Sequence, residues 1–223
     1  MPGWNSIEEM LDALHKKDCR YVILRNYEEI DADNFYSSGH ADIDFLTDRG
    51  KAFARIIQAR PRFDTDDGIH YIVVIAGSQV VIDVRSVGDG YYDARWEKTI
   101  LTARQLVDGR FYAVDPMNYY YSLTYHAILQ KKALADDYLK RLNLMAKELS
   151  IPAASEQQHL KALERFMKEH RYFYTLPYDI HVPLRRELID TAMVKKQGNV
   201  AMRDAKIRLM QIGSRIKRRI LRR

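Results

Sequence analysis

Two aspartates stand two residues apart inside an apolar run, Ala41-Asp42-Ile43-Asp44-Phe45-Leu46. The run predicts a β-strand at about 41–47, and residues two apart in a strand point to the same face of the sheet. Carboxylates are rarely buried without a partner, and two this close repel each other unless a cation lies between them. Asp42 and Asp44 therefore indicate either a metal site or the wet face of an amphipathic strand.

A third acid lies alone in another apolar run, Val80-Val81-Ile82-Asp83-Val84. Two β-branched runs, 70–76 and 79–85, flank Gly77-Ser78, which predicts a hairpin with Asp83 on its second strand. A buried Asp without a partner is costly or becomes neutral. Asp83 is therefore expected either in a salt bridge, for example to Arg85 or Arg25, or as the third carboxylate of a metal site.

The chain changes character near residue 93, from mixed helix and strand to nearly all helix. We predict an α/β core at 1–93, a helical domain at 94–195 that packs on this core, and a basic amphipathic helix at 196–223. Capping signals mark two of the helix starts, Ser6 with Glu9 and Asp115 with Pro116. The predicted elements are helices at about 7–17, 48–60, 94–107, 116–131, 136–149, 155–169 and 183–195, and strands at 20–25, 41–47, 70–76, 79–85 and 110–114.

Composition limits the class of protein. Hydrophobic residues make up 47% of the 223 residues, which is typical of a globular chain, and no apolar run is long enough to span a membrane. The N-terminus has no signal-like pattern. Cys19 stands alone, so neither an internal disulfide nor a cysteine metal site is expected. These features lead us to expect a cytoplasmic protein.

The basic charge is concentrated at the C-terminus. Residues 195–223 hold eleven Lys and Arg against a single acid, Asp204, so the rest of the chain is mildly acidic although the net charge is +6. Ile207, Met210 and Ile216 add an apolar face to this segment. Residues 199–223 are therefore predicted to dock on an anionic membrane surface. A partner helix, a nucleic-acid contact and a solvated end are the alternatives; the acidic body makes nucleic acid the less expected partner.

The order of these parts resembles the polymerase-β-like nucleotidyltransferase superfamily, in which a D-h-D strand is followed by a later strand with a single acid. Asp42 and Asp44 match the D-h-D, and Asp83 matches the third acid. The continuation is similar to a group of bacterial nucleotidyltransferase-like proteins associated with surface-polysaccharide synthesis. The residues that carry this second similarity are Asp83-Val84-Arg85, Trp96, Ile100-Leu101, Asp115-Pro116, Leu123-Thr124-Tyr125-His126-Ala127, Asp137-Tyr138 and Arg141-Leu142.

The resemblance implies an α/β (α+β) fold with a mixed sheet flanked by helices and a C-terminal helical region. It also implies Mg²⁺ (or Mn²⁺) held by Asp42, Asp44 and Asp83, which would act as catalytic and metal-binding residues, with Asp83 able to take the proton of the acceptor hydroxyl. The substrates implied are a nucleoside triphosphate and a glycan or glycolipid acceptor. His126, by default a helix-packing residue, would line the cleft between the two halves.

The chain departs from the family where the nucleotide should bind. Leu24-Arg25-Asn26 follows the first strand in place of the Gly-[Gly/Ser] pair, and residues 26–42 span more than the usual spacing. The expected nucleotide contacts are therefore Arg25 as a point charge, Ser37, Ser38 and Gly39 as a phosphate nest, and His40, for which a loop role is the alternative. If nucleotide binding is lost, the chain is a catalytically degenerate binding module in a polysaccharide assembly. A toxin-type nucleotidyltransferase acting on tRNA is a third interpretation.

Overall fold

The computed structural model describes residues 3–30, 42–64 and 66–195. The predicted phosphate contacts Ser37, Ser38, Gly39 and His40, together with the predicted helix at 199–223, lie outside these residues. Among the helices described, none is both long and apolar enough to cross a bilayer.

Six α-helices and one mixed β-sheet make up the described part of the chain. The sheet order is β3-β4-β5-β2-β1-β7-β6. The strands are β1 (Tyr21–Arg25), β2 (Asp42–Thr47), β3 (Arg60–Pro61), β4 (His70–Ile75), β5 (Ser78–Ser86), β6 (Gln105–Val107) and β7 (Phe111–Ala113). The helices are α1 (Ile7–Lys16), α2 (Gly50–Ile56), α3 (Ala94–Ala103), α4 (Pro116–Thr124), α5 (Asp136–Glu148) and α6 (Glu156–Glu169), and a π-helical turn, Tyr125–Leu129, extends α4.

Helices cover both faces of the sheet, which confirms the predicted α/β class. Ile43 and Phe45 belong to a core that includes residues of α1 and α2. Leu46 belongs to a second core formed with residues of α3 to α6. Since side chains alternate along a strand, Asp42 and Asp44 point to the same side as Leu46, toward the later helices.

The local signals for helix starts agree with the structure. The Ser6 hydroxyl accepts from the Glu9 amide, and the Asp115 carboxylate accepts from the Asn118 amide, so both side chains cap the helices that were expected there. The hairpin also forms, but its turn is one residue earlier than Gly77-Ser78. Ala76 and Gly77 both have positive φ, at 49° and 79°, and Ser78 already pairs with Ile75.

Two of the predicted helices are wrong: one ends earlier than expected and the other does not form. The helix expected at 94–107 ends at Ala103, because β6 pairs with β7, which in turn pairs with β1. The sheet therefore continues past residue 93. The segment 183–195 is not a helix; it contains only the short 3₁₀ turns Arg186–Leu188 and Thr191–Met193. Its backbone bonds to other segments instead, as where Lys195 N–H donates to the Tyr174 carbonyl.

Candidate functional site

Four adjacent strands carry a single row of charged side chains. Arg25 in β1 lies opposite Asp44 in β2, Asp44 lies opposite Asp83 in β5, and Asp83 lies opposite His70 in β4. Residues directly opposite each other point to the same face. The row therefore brings two carboxylates side by side between two basic groups.

A β-bulge places Arg25 in this row. Ile23 pairs with Phe45, but Arg25 rather than Leu24 pairs with Asp44, so β1 has one extra residue at this point. A bulge redirects the side chains that follow it. Without the bulge, alternation would turn Arg25 to the opposite face, away from both acids.

Arginines contact the carboxylates of the row. Arg25 Nη2 lies 2.6 Å from Asp44 Oδ1, and Arg85 Nη2 lies 3.1 Å from Asp83 Oδ2. Arg85 Nη1 also reaches Asp179 Oδ2 at 2.8 Å, while its Nε is buried without a hydrogen-bond partner. The salt bridge from Asp83 to Arg85, one of the two alternatives for this acid, is thus present.

His70 completes the row as a cation. Its Nδ1 lies 2.7 Å from Asp67 Oδ2, and its Nε2 lies 3.4 Å from Asp179 and 3.9 Å from Asp83. Burial opposes its charge, but hydrogen bonds to Asp179 and Asp67 outweigh burial and raise the pKa of His70 to about 9. His70 is therefore protonated at neutral pH.

Asp83 and Asp179, which both lie beside His70 and Arg85, have pKa values shifted in opposite directions. Burial, and then the nearby charge of Asp44, raise the pKa of Asp83 to about 6. Asp179 is also buried, but its hydrogen bond to His70 and the charge of Arg85 hold its pKa below the usual value. Asp83 thus carries the less well compensated negative charge of the two.

The row forms one wall of a cleft of about 290 Å³. His126 in the π-helical turn, Lys131 just after this turn and Tyr138 in α5 form what we call the helical wall of the cleft, and Asp179 and His181 line it from the segment after α6. Asp42, exposed at the first residue of β2, also lines this cleft. The structure therefore brings together four of the predicted site residues, Arg25, Asp42, Asp44 and Asp83.

Sequence reasoning missed His70, Asp179 and Lys131 as site residues. His70 begins a predicted strand, so its spacing before Asp83 across the hairpin was an available signal. Asp179 gave none, because it reaches Arg85 from 94 residues away through packing of the helical region. Lys131 sits at the end of a predicted helix, where a basic residue is ordinary.

The donor chemistry of the site fits a hard divalent cation. Carboxylate oxygens are the ligands that Mg²⁺ prefers, and Asp42, Asp44 and Asp83 supply them from one face of two adjacent strands. Burial, and then the charge of Asp44, raise the pKa of Asp83, and a cation bound between the two acids would relieve the second of these effects. Within residues 3–30, 42–64 and 66–195, however, no group of three or more His, Cys, Asp or Glu already has a metal-binding arrangement. Oxygens of Asp44 and Asp83 contact guanidinium groups instead.

Comparisons with known proteins add little to this geometry. No protein-family model matches the chain, and no curated protein matches it. Among solved structures, the chain is similar to the solution structure of the antibiotic-resistance factor ANT(2'')-Ia, at 13% identity and a TM-score of 0.40, over 74% of this chain and 91% of that one. At that TM-score the similarity defines neither the fold nor the function of this protein.

Proposed function

We propose that the protein is a metal-dependent nucleotidyltransferase, which transfers a nucleotidyl or phosphoryl group to a hydroxyl acceptor. The observation that supports it best is the cross-strand pairing of Asp44 with Asp83, with Asp42 on the same face, in a cleft that also holds basic groups. Carboxylates for a metal and cations for phosphate, together in one cleft, are the parts that phosphoryl transfer needs.

Asp42, Asp44 and Asp83 would hold the ion, whose bound charge would neutralise phosphate oxygens. Arg25 and Arg85 stand beside these acids, where a guanidinium can bind phosphate oxygens in place of a carboxylate. His70 adds a third positive charge, held in place by Asp67. Asp83 is the carboxylate that we expect to accept the proton of the attacking hydroxyl. The glycan or glycolipid identity of that acceptor rests on the sequence resemblance alone.

The test is pyrophosphate release from a panel of the four ribonucleoside triphosphates with Mg²⁺, in the presence of candidate sugar and glycolipid acceptors. Asp42→Asn should abolish release while barely lowering Tm, because Asp42 is exposed and the change removes only charge. Asp48→Asn is the matched control, an exposed aspartate one residue past the same strand. Activity that survives in Asp42→Asn, or that is lost equally in Asp48→Asn, would contradict the assignment.

A binding module without catalysis is the second candidate function. The observation that favours it is that Arg25 and Arg85 already neutralise Asp44 and Asp83, so the carboxylates have partners without a metal. This candidate predicts that nucleotides or glycans bind equally well with Mg²⁺ and with EDTA. Nucleotide binding that requires Mg²⁺ would exclude it and favour the enzyme.

A further inference from the structure

The helical wall of the cleft begins with an unusual backbone feature. His126 lies in the π-helical turn Tyr125–Leu129 that extends α4, and Lys131 follows just after this turn. π-helical turns are rare and occur frequently at functional sites. His126 is 6% exposed, yet it lines the cleft together with Lys131.

A chain of hydrogen bonds fixes the His126 ring. Arg25 Nη2 donates to the Tyr91 hydroxyl at 2.9 Å, and this hydroxyl lies 2.9 Å from His126 Nδ1. Because arginine only donates, the hydrogen of Tyr91 is available for Nδ1. Gln130 Oε1 makes a longer contact with the same nitrogen, 3.3 Å. The Tyr91 hydroxyl suits either tautomer of the ring: it donates to Nδ1 when the ring hydrogen lies on Nε2, and it accepts from Nδ1, as Gln130 Oε1 does, when the hydrogen lies there.

The His126 ring is neutral. Burial, and then the charge of Arg25, hold its pKa well below the usual value. Among the described residues, Nε2 has no hydrogen-bond partner. It is not one of the fully buried polar atoms without a partner, so it is accessible from the cleft. Nε2 is therefore available to a ligand as far as the described residues go, and a phosphate oxygen beside it would select the tautomer with the hydrogen on Nε2.

Lys131 adds a positive charge on the same wall. Its side chain is exposed, and within the described part of the chain it forms no ion pair. Asp44 and Asp83, which line the same cleft, contact Arg25 and Arg85 and not Lys131. An ammonium group and a ring N–H that both donate are complementary to phosphate oxygens, which only accept.

We propose that His126 and Lys131 form a phosphate-binding subsite on the helical wall, which takes the phosphate of either a nucleotide or a phosphorylated acceptor. The proposal rests on the proposed function, which places the reacting group in the same cleft. The proposal gives both residues a role in ligand binding. If they served only in helix packing, His126 Nε2 and the Lys131 ammonium group would have no partner among the described residues.

The experiment is isothermal titration calorimetry on the full chain with three probes: inorganic tripolyphosphate, the four nucleoside triphosphates with Mg²⁺, and glucose 1-phosphate. Lys131→Met should weaken binding of the phosphate probe roughly tenfold, the loss of one charged contact of about 1.4 kcal/mol. Lys132→Met is the matched control, a neighbouring exposed lysine that does not line the cleft. The probe that loses affinity identifies nucleotide or sugar phosphate as the source.

Two His126 variants test the ring. His126→Phe keeps the ring volume but removes the donor, and should weaken binding about as much as Lys131→Met. His126→Gln offers an amide N–H near the position of Nε2 and should recover part of the loss. If His126→Phe fails to fold, as shown by its melting curve, Lys131→Met decides, because its side chain is exposed.

The subsite would be overturned by equal affinities of Lys131→Met and Lys132→Met for every probe, or by the absence of binding to the wild type. Pyrophosphate release measured in parallel separates this proposal from the proposed function. Turnover that is unaffected by Lys131→Met overturns the subsite alone. A Lys131-dependent loss of binding in a protein without turnover supports the subsite and overturns the enzyme.

Discussion

Replacing Arg25 with methionine should destabilise the fold strongly. Arg25 and Asp44 form an ion pair of 2.6 Å with side chains only 6% and 8% exposed. Removing one member of a buried pair leaves the other charge uncompensated, at a typical cost of about 3–5 kcal/mol. Asp83 lies directly opposite Asp44 in the sheet, so the loss of Arg25 also leaves two neighbouring carboxylates facing each other. We expect the upper part of that range.

The assay is urea unfolding at pH 7 followed by circular dichroism, with Arg110→Met as the matched control. Arg110 pairs with Glu8 at 2.8 Å, but the two side chains are 33% and 47% exposed, and such surface pairs contribute only about 0–1 kcal/mol. Mg²⁺ should stabilise Arg25→Met more than the wild type, because a cation bound by the folded state alone stabilises it and can replace the missing positive charge beside Asp44. A loss for Arg25→Met no larger than that for Arg110→Met would refute the reasoning from burial.

Three further predictions follow from the same structure. Between about pH 6.5 and 9 the wild type should lose up to about 3 kcal/mol of stability relative to His70→Gln, because folding raises the His70 pKa from 6.5 to about 9. The stabilisation from His70 is complete below the pKa of the unfolded state and disappears as the pH rises through the pKa of the folded state. Parallel pH profiles of the two proteins in urea unfolding would contradict this. Gly77→Ala should lower the free energy of unfolding by about 1–2 kcal/mol and Ala76→Gly should raise it by up to about 1 kcal/mol, since both positions have positive φ. Thermal unfolding in which both variants change stability in the same direction would count against this. The full chain should sediment with anionic liposomes, and a chain ending near Gln197 should not; equal pelleting would exclude docking through 199–223.

The sequence predicts those parts of the site that depend on neighbouring residues. Alternation of polar and apolar side chains is a local property, so the strands holding Asp42, Asp44 and Asp83 could be identified, and with them the shared face of the first two. Turn residues identify the hairpin because Gly77 tolerates positive φ. Helix starts at Ser6 and Asp115 depend only on the side chain that caps the first turn.

What the sequence could not predict depends on contacts between distant segments. The order of strands places β2 between β1 and β5, and only that order sets Asp44 beside Asp83. The bulge that turns Arg25 toward Asp44 has no sequence signature in Leu24-Arg25-Asn26. Asp179 joins the site through tertiary packing, as a buried partner of Arg85 and His70.

The most direct test of the central claim is Mn²⁺ binding measured by electron paramagnetic resonance, in which Mn²⁺ stands in for Mg²⁺, with a nucleoside triphosphate present. The claim is that the acids of the cross-strand row bind a divalent cation together with phosphate. The account predicts that the wild type removes the free Mn²⁺ signal beyond the amount bound by nucleotide alone, and that Asp44→Asn, measured at a temperature at which its melting curve shows it to be folded, does not. Equal signals from the two proteins would show that Asp44 serves only as the ion-pair partner of Arg25, and would contradict the proposed nucleotidyltransferase.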